Sequence, residues 1–239
     1  MTSHGRFPLR LRADGAASNT ACGVVLVRVS PDQFHLGLRY DDAPHEPVVH
    51  FAWHRYLRKQ PLSQVTMDGS FPSAVITLPL DPAIDGALQF LAEQVVTRYV
   101  NATDVFAYSF GEVSATFDRA TGELSEDDVS FTCATFVLTM LRSVGAVLLD
   151  VSRWPEPTDE DLQWQRKMEK NLLESIHGDL LRAIAKTRLE QDFGSRRYRP
   201  TDVAGAALFH RERWPLSAEE AEPRARELMS RLPWPNAAI

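Results

Sequence analysis

Cys133 is the residue of this chain best placed for covalent chemistry. It opens the run Cys133-Ala134-Thr135-Phe136-Val137-Leu138-Thr139-Met140-Leu141, an almost wholly apolar helix pattern that Gly145 stops. A cysteine attacks only as thiolate, and the first turn of a helix helps in two ways. Its partial positive charge favours the thiolate, and its unpaired N–H groups can hold an oxyanion. Thr132, or Ser130 before it, can supply the oxygen that caps this start. The competing role is plain: free cysteine is among the most buried residue types and commonly only fills a core. Glu126-Asp127-Asp128, just upstream, are dipole partners and solvated loop charges whose repulsion raises a nearby thiol pKa.

A thiol nucleophile needs a base. Of seven histidines, His35, His45, His50 and His54 fall within one stretch of twenty residues. His35 sits in an alternating segment, and His50 and His54 share another. On one strand His50 and His54 would point to the same face about 13 Å apart, so both cannot touch one sulfur. His45 lies in a loop with two prolines, and His4, His177 and His210 have no partner nearby in sequence. His35, His50 and His54 therefore remain open as the base. Tyr108 and Ser109 either border the cleft or pack the core.

These residues need elements to position them. Cys22–Val29 reads as a strand ending at the turn Ser30-Pro31-Asp32-Gln33, and Phe34–Tyr40 as its return. Val48–Leu57 alternates as a third strand, making a meander, and Ser73–Leu80 forms a fourth. Asp81-Pro82 starts a helix whose apolar positions Ile84, Leu88, Leu91, Val95 and Tyr99 line one face. Residues 106–128 form a shaped loop. After the Cys133 helix, a charged helix runs from about Glu160 to Asp192 with a break at His177-Gly178. A further element lies between Pro200 and His210, and a last helix between Ser217 and Leu232. The expected fold class is α+β: a small antiparallel sheet on the Cys133 helix (1–157), followed by a helical C-terminal extension (158–239).

The order Phe34-His35-Leu36-Gly37-Leu38-Arg39-Tyr40, then Val48-Val49-His50-Phe51-Ala52, then Phe131-Thr132-Cys133-Ala134-Thr135-Phe136-Val137 resembles the circularly permuted papain-like proteins of the NlpC/P60 superfamily. It is similar in particular to the lecithin:retinol acyltransferase and H-Ras-like acyltransferase branch and to bacterial permuted peptidases. The resemblance implies Cys133 as nucleophile, His35 as base and His50 as the polar residue orienting it. If the strand is shifted relative to this alignment, His54 takes the role of base. Thr132 stands where the acyltransferases have Asn, and Ala134-Thr135 where they have Glu-His. Those departures, and the long interval from His50 to Cys133, set the chain beside the bacterial hydrolases.

Composition bounds the rest. With 239 residues, 44% hydrophobic and 24% charged, the chain can bury a real core. A net charge of −6 argues against nucleic acid as partner, because phosphate binding needs concentrated Lys and Arg. No apolar run approaches bilayer length and the first residues lack a secretory pattern, so a cytoplasmic protein with no membrane span is expected. Two cysteines make neither a disulfide framework nor a zinc site. The expected activity is cofactor-free hydrolysis of a peptide, isopeptide or small-molecule amide or ester through an acyl-thiol. The rivals are an inactive papain-like interaction protein and a thiol acyltransferase acting on lipid. Trp164, Met168, Leu172 and Ile176 form an apolar stripe that docks on the chain's own core, a second copy or a protein partner. Arg196-Arg197-Tyr198-Arg199 is either a solvated turn or an anion site.

Overall fold

The computed structural model describes residues 8–41, 44–53, 56–100, 106–111, 113–126 and 129–234. The chain begins with strands β1 (Leu9–Arg12), β2 (Gly23–Ser30), β3 (Gln33–Arg39), β4 (Pro47–Trp53) and β5 (Tyr56–Pro61). A single turn of helix, α1 (Leu62–Val65), leads to β6 (Ser73–Thr77) and α2 (Pro82–Tyr99). Two short strands, β7 (Ala107–Tyr108) and β8 (Ser130–Phe131), pair in parallel just before α3 (Cys133–Ser143). Helices α4 (Asp159–Ser175), α5 (Asp179–Gln191), α6 (Pro200–Ala206) and α7 (Ala218–Ser230) follow.

The class is α+β, and the sheet is larger than the sequence pattern implies. Six strands join in the order β1-β6-β2-β3-β4-β5, with the β1–β6 pair parallel and the rest antiparallel. The expected small antiparallel sheet is thus a six-stranded mixed one. β1 carries only four residues, Leu-Arg-Leu-Arg, too short a pattern to stand out from a polar lead-in. Its backbone groups are satisfied only because β6, more than sixty residues later, lies beside it. The proposed single strand Val48–Leu57 is also two strands, β4 and β5, folded back on each other with His50 opposite Arg58.

Alternation divides the sheet into two faces. Val24, Leu26, Leu36, Leu38, Val49, Phe51 and Ile76 belong to a large core built with α2, α3 and the later helices. Val25, Val27, Val48 and Val75 form a smaller cluster on the other face with Leu62 of α1. His35 and His50 share the parity of Val27 and Val48, so both rings start from this second face.

The helices past residue 158 bury their apolar sides in the same large core. Met168, Leu172 and Ile176 of the α4 stripe are buried there, and Trp164 packs edge-on to Phe110 at 5.6 Å between centroids. The stripe therefore docks on its own chain, while Leu180, Leu181 and Ile184 of α5 stay exposed. Gly205 lets α6 and α7 pack backbone to backbone: a Cβ there would lie 2.6 Å from the Ala225 nitrogen. That close approach brings the Ala225–Met229 stretch of α7 toward the site.

Candidate active site

Cys133 is the first residue of α3, and Thr132 caps it. The Thr132 Oγ1 accepts from the Thr135 N–H at 3.1 Å, while the Thr135 Oγ1 accepts from the Thr132 N–H at 2.8 Å. This reciprocal box fixes the helix start and leaves the Cys133 and Ala134 N–H groups pointing out of the first turn. The rest of α3 is nearly all buried, so Cys133 is held on a rigid element with one partly exposed end.

The β3–β4 pairing is short beside the site. Tyr40 donates its N–H across to Pro47 on the β4 side, so the N–H groups of Leu38 and Leu36, two and four residues back, face the same way. The β3–β4 register, however, runs only from Leu38–Val49 to Arg39–Val48. The Leu36 N–H meets no β4 partner in that register, and it is among the backbone groups that favour the Cys133 thiolate.

The two imidazoles are joined. His35 Nε2 and His50 Nδ1 lie 2.8 Å apart with the rings near edge-on at 77°, and His50 Nε2 lies 2.8 Å from Gln60 Oε1. Gln60 also donates through Nε2 to Gln64 Oε1 at 3.4 Å. Gly37 makes this meeting possible, since a Cβ there would sit 2.7 Å from Val48 Cγ1 and 3.2 Å from His50 Cβ. His54 lies outside the described residues, as do His4, Asp127 and Asp128. His45 and His177 are exposed, and His210 accepts from the Glu212 N–H.

Cys133, His35 and His50 all line one cavity of about 550 Å³. Among the described residues no hydrogen bond links the thiol to either ring. Burial pushes the Cys133 thiol up to about 11, outweighing the Leu36, Ala134 and Cys133 N–H groups that favour the thiolate. The helix start acts in the expected direction, but desolvation is larger. Burial likewise drives His35 down to about 3, with the charge of His50 adding to it, and lowers His50. The resting site is a neutral thiol beside neutral imidazoles. Cys22 is wholly buried, its thiol pushed up by burial and then by Asp85, and it lies in the core away from this cavity.

The far wall comes from residues that the sequence pattern did not single out as a wall. Glu160 and Trp164 of α4, the 197–202 segment and the Ala225–Met229 stretch of α7 face Cys133 across the cavity. Arg197 lies 4.0 Å over the Trp164 ring and pairs with Asp161 at 3.1 Å, and Arg199 pairs with the same oxygen at 2.8 Å. Arg196 pairs with Glu156. Carboxylates of α4 and its approach thus pair with all three arginines, two of which share Asp161. Asp202, on the same wall, is raised to about 6 by burial against the pull of Arg199 and Arg197. Tyr108 also lines the cavity, its phenol pushed up by burial and by the neighbouring Cys133. Ser109 is buried and hydrogen bonds Asp192.

Among the described residues no group of three or more His, Cys, Asp and Glu side chains is arranged to hold a metal, and no helix is long and apolar enough to cross a membrane. In comparisons with known proteins, no family, no curated protein and no solved structure matches this chain. What the fold and site define is an α+β protein with a capped helix-start cysteine and a histidine pair on one cavity.

Proposed function

We propose that this chain is a cysteine hydrolase of the amidase or peptidase type, built on a circularly permuted papain-like plan. The observation that carries the reading is that Cys133 of α3 and His35 and His50 of the adjacent strands β3 and β4 line one cavity. His35 takes the thiol proton as the sulfur attacks the carbonyl carbon of an amide or ester, and a C–S bond forms. The Cys133 and Ala134 N–H groups receive the oxyanion. The His35 proton then passes to the leaving amine or alkoxide as its bond to the carbonyl carbon breaks. A water, deprotonated by His35, attacks the thioester, and the carboxylic acid departs as the thiol is restored. Neutral resting groups mean that the ion pair forms only with substrate in place.

The test is acylation by p-nitrophenyl acetate, followed as a nitrophenol burst and as an acetyl adduct located by peptide mapping. The reading expects the adduct on Cys133, slowed in His35→Ala and lost in Cys133→Ser. An adduct spread equally over Cys22 and Cys133, or a rate indifferent to His35, would overturn it.

One observation favours a second reading. The thiol is protonated at rest and hydrogen bonded to no imidazole among the described residues, as suits an inactive papain-like protein that uses the cavity to bind a partner. That protein would give no burst and no His35-dependent adduct.

A further inference from the structure

The hydrogen-bond chain through the two histidines has a direction, and Gln60 sets it. A neutral imidazole carries one N–H and one lone pair, so each ring can donate on one side only. The Gln60 amide oxygen lies toward His50, and its nitrogen lies 3.4 Å from the Gln64 oxygen of α1. An amide oxygen only accepts, so His50 must donate from Nε2, and its Nδ1 is left to accept. His35 must then donate from Nε2 to His50, which leaves the lone pair on His35 Nδ1.

We infer that Gln60 is a positioning residue that fixes both histidines as Nε2–H tautomers and thereby makes His35 Nδ1 the proton acceptor of the site. Its consequence for catalysis rests on the hydrolase reading, but the tautomer assignment does not. An amide in this place keeps the chain uncharged, in contrast to a carboxylate, which would stabilise an imidazolium. That fits a cavity whose burial already holds both rings neutral. β5 and α1 thus have a chemical role at the site through Gln60 and Gln64, although neither touches Cys133.

The experiment has two arms. Long-range nitrogen–proton correlation spectra of the full, nitrogen-15-labelled chain near neutral pH report the tautomer of each ring without any variant. The expected result is Nε2–H for both His35 and His50, with Gln60→Leu giving mixed tautomers. In the second arm, Cys133 acetylation by p-nitrophenyl acetate falls about tenfold in Gln60→Leu, the size of one lost buried hydrogen bond. Gln60→Glu, which accepts from His50 but stabilises its imidazolium, leaves His35 without a free lone pair on Nδ1 and does not restore the rate. A proton on His35 Nδ1 in the native chain, or tautomers unchanged in Gln60→Leu, overturns the inference. So does acetylation that Gln60→Glu leaves at the native rate. If the tautomers behave as stated but Cys133 never acylates, the hydrolase reading fails and the tautomer control by Gln60 stands.

Discussion

His35 Nε2 lies 2.8 Å from His50 Nδ1, although fifteen residues and a loop separate the two in sequence. The contact joins adjacent strands diagonally, across the bare backbone of Gly37. It ties the candidate base to a second ring whose far side is already engaged by Gln60. Four of the expected outcomes concern this pair and the start of the Cys133 helix.

Removing the base should be far more damaging than removing a neighbour. His35→Ala is expected to slow Cys133 acetylation roughly a hundredfold, the low end for a general base. His45→Ala, on an exposed loop residue, should leave the rate unchanged. Burst kinetics on the two variants check the contrast.

Gly37→Ala should cost both stability and reactivity. The new methyl would meet Val48 and His50 at distances that force β3 and β4 apart, an overpacking worth about 1–3 kcal/mol. Urea unfolding measures the first effect. Loss of the His35–His50 coupling, seen as altered ring tautomers, measures the second.

Thr132→Ala removes the cap of the nucleophile helix and should cost about 1 kcal/mol, whereas Thr132→Ser should retain most of it. A frayed first turn also displaces the Cys133 and Ala134 N–H groups. Acetylation should therefore fall with stability in the alanine variant and recover in the serine variant.

Stability should hold on a plateau and decline on both sides. His35 is neutral in the fold and lowered to about 3, so the unfolded chain takes up its proton first, below its ordinary value of about 6.5. That contribution is complete above about 6.5 and is lost as pH falls toward 3. Cys133 is raised to about 11, so its contribution is complete below about 9 and is lost as pH rises from 9 to 11. Urea midpoints across pH check the shape, and His35→Gln should flatten the acid limb.

Asp161→Ala should loosen the cavity wall. Its carboxylate accepts from Thr158 and pairs with Arg197 and Arg199, and these partners outweigh burial to hold it at about 2. Leaving the largely buried Arg197 unpaired should cost about 3 kcal/mol by thermal or urea unfolding.

The local features were readable from the residues alone. Thr132 before an apolar run marks the start of α3, Asp81-Pro82 marks that of α2, and alternation places His35 and His50 on strands. Each depends on neighbours within a turn or a strand pair, so the sequence determined it. The tertiary structure decided the rest, because those features depend on distant contacts. β1 is a strand only beside β6, and β4 and β5 pair antiparallel where the pattern reads as one strand over Val48–Leu57. Gln60 reaches His50 only through that pairing, and no spacing rule announces an amide ten residues away as a partner. The helix start does favour the Cys133 thiolate, as its sequence position implies. Desolvation by the packed sheet and helices exceeds that local field, so the protonation state at rest was set by packing and not by position along the chain.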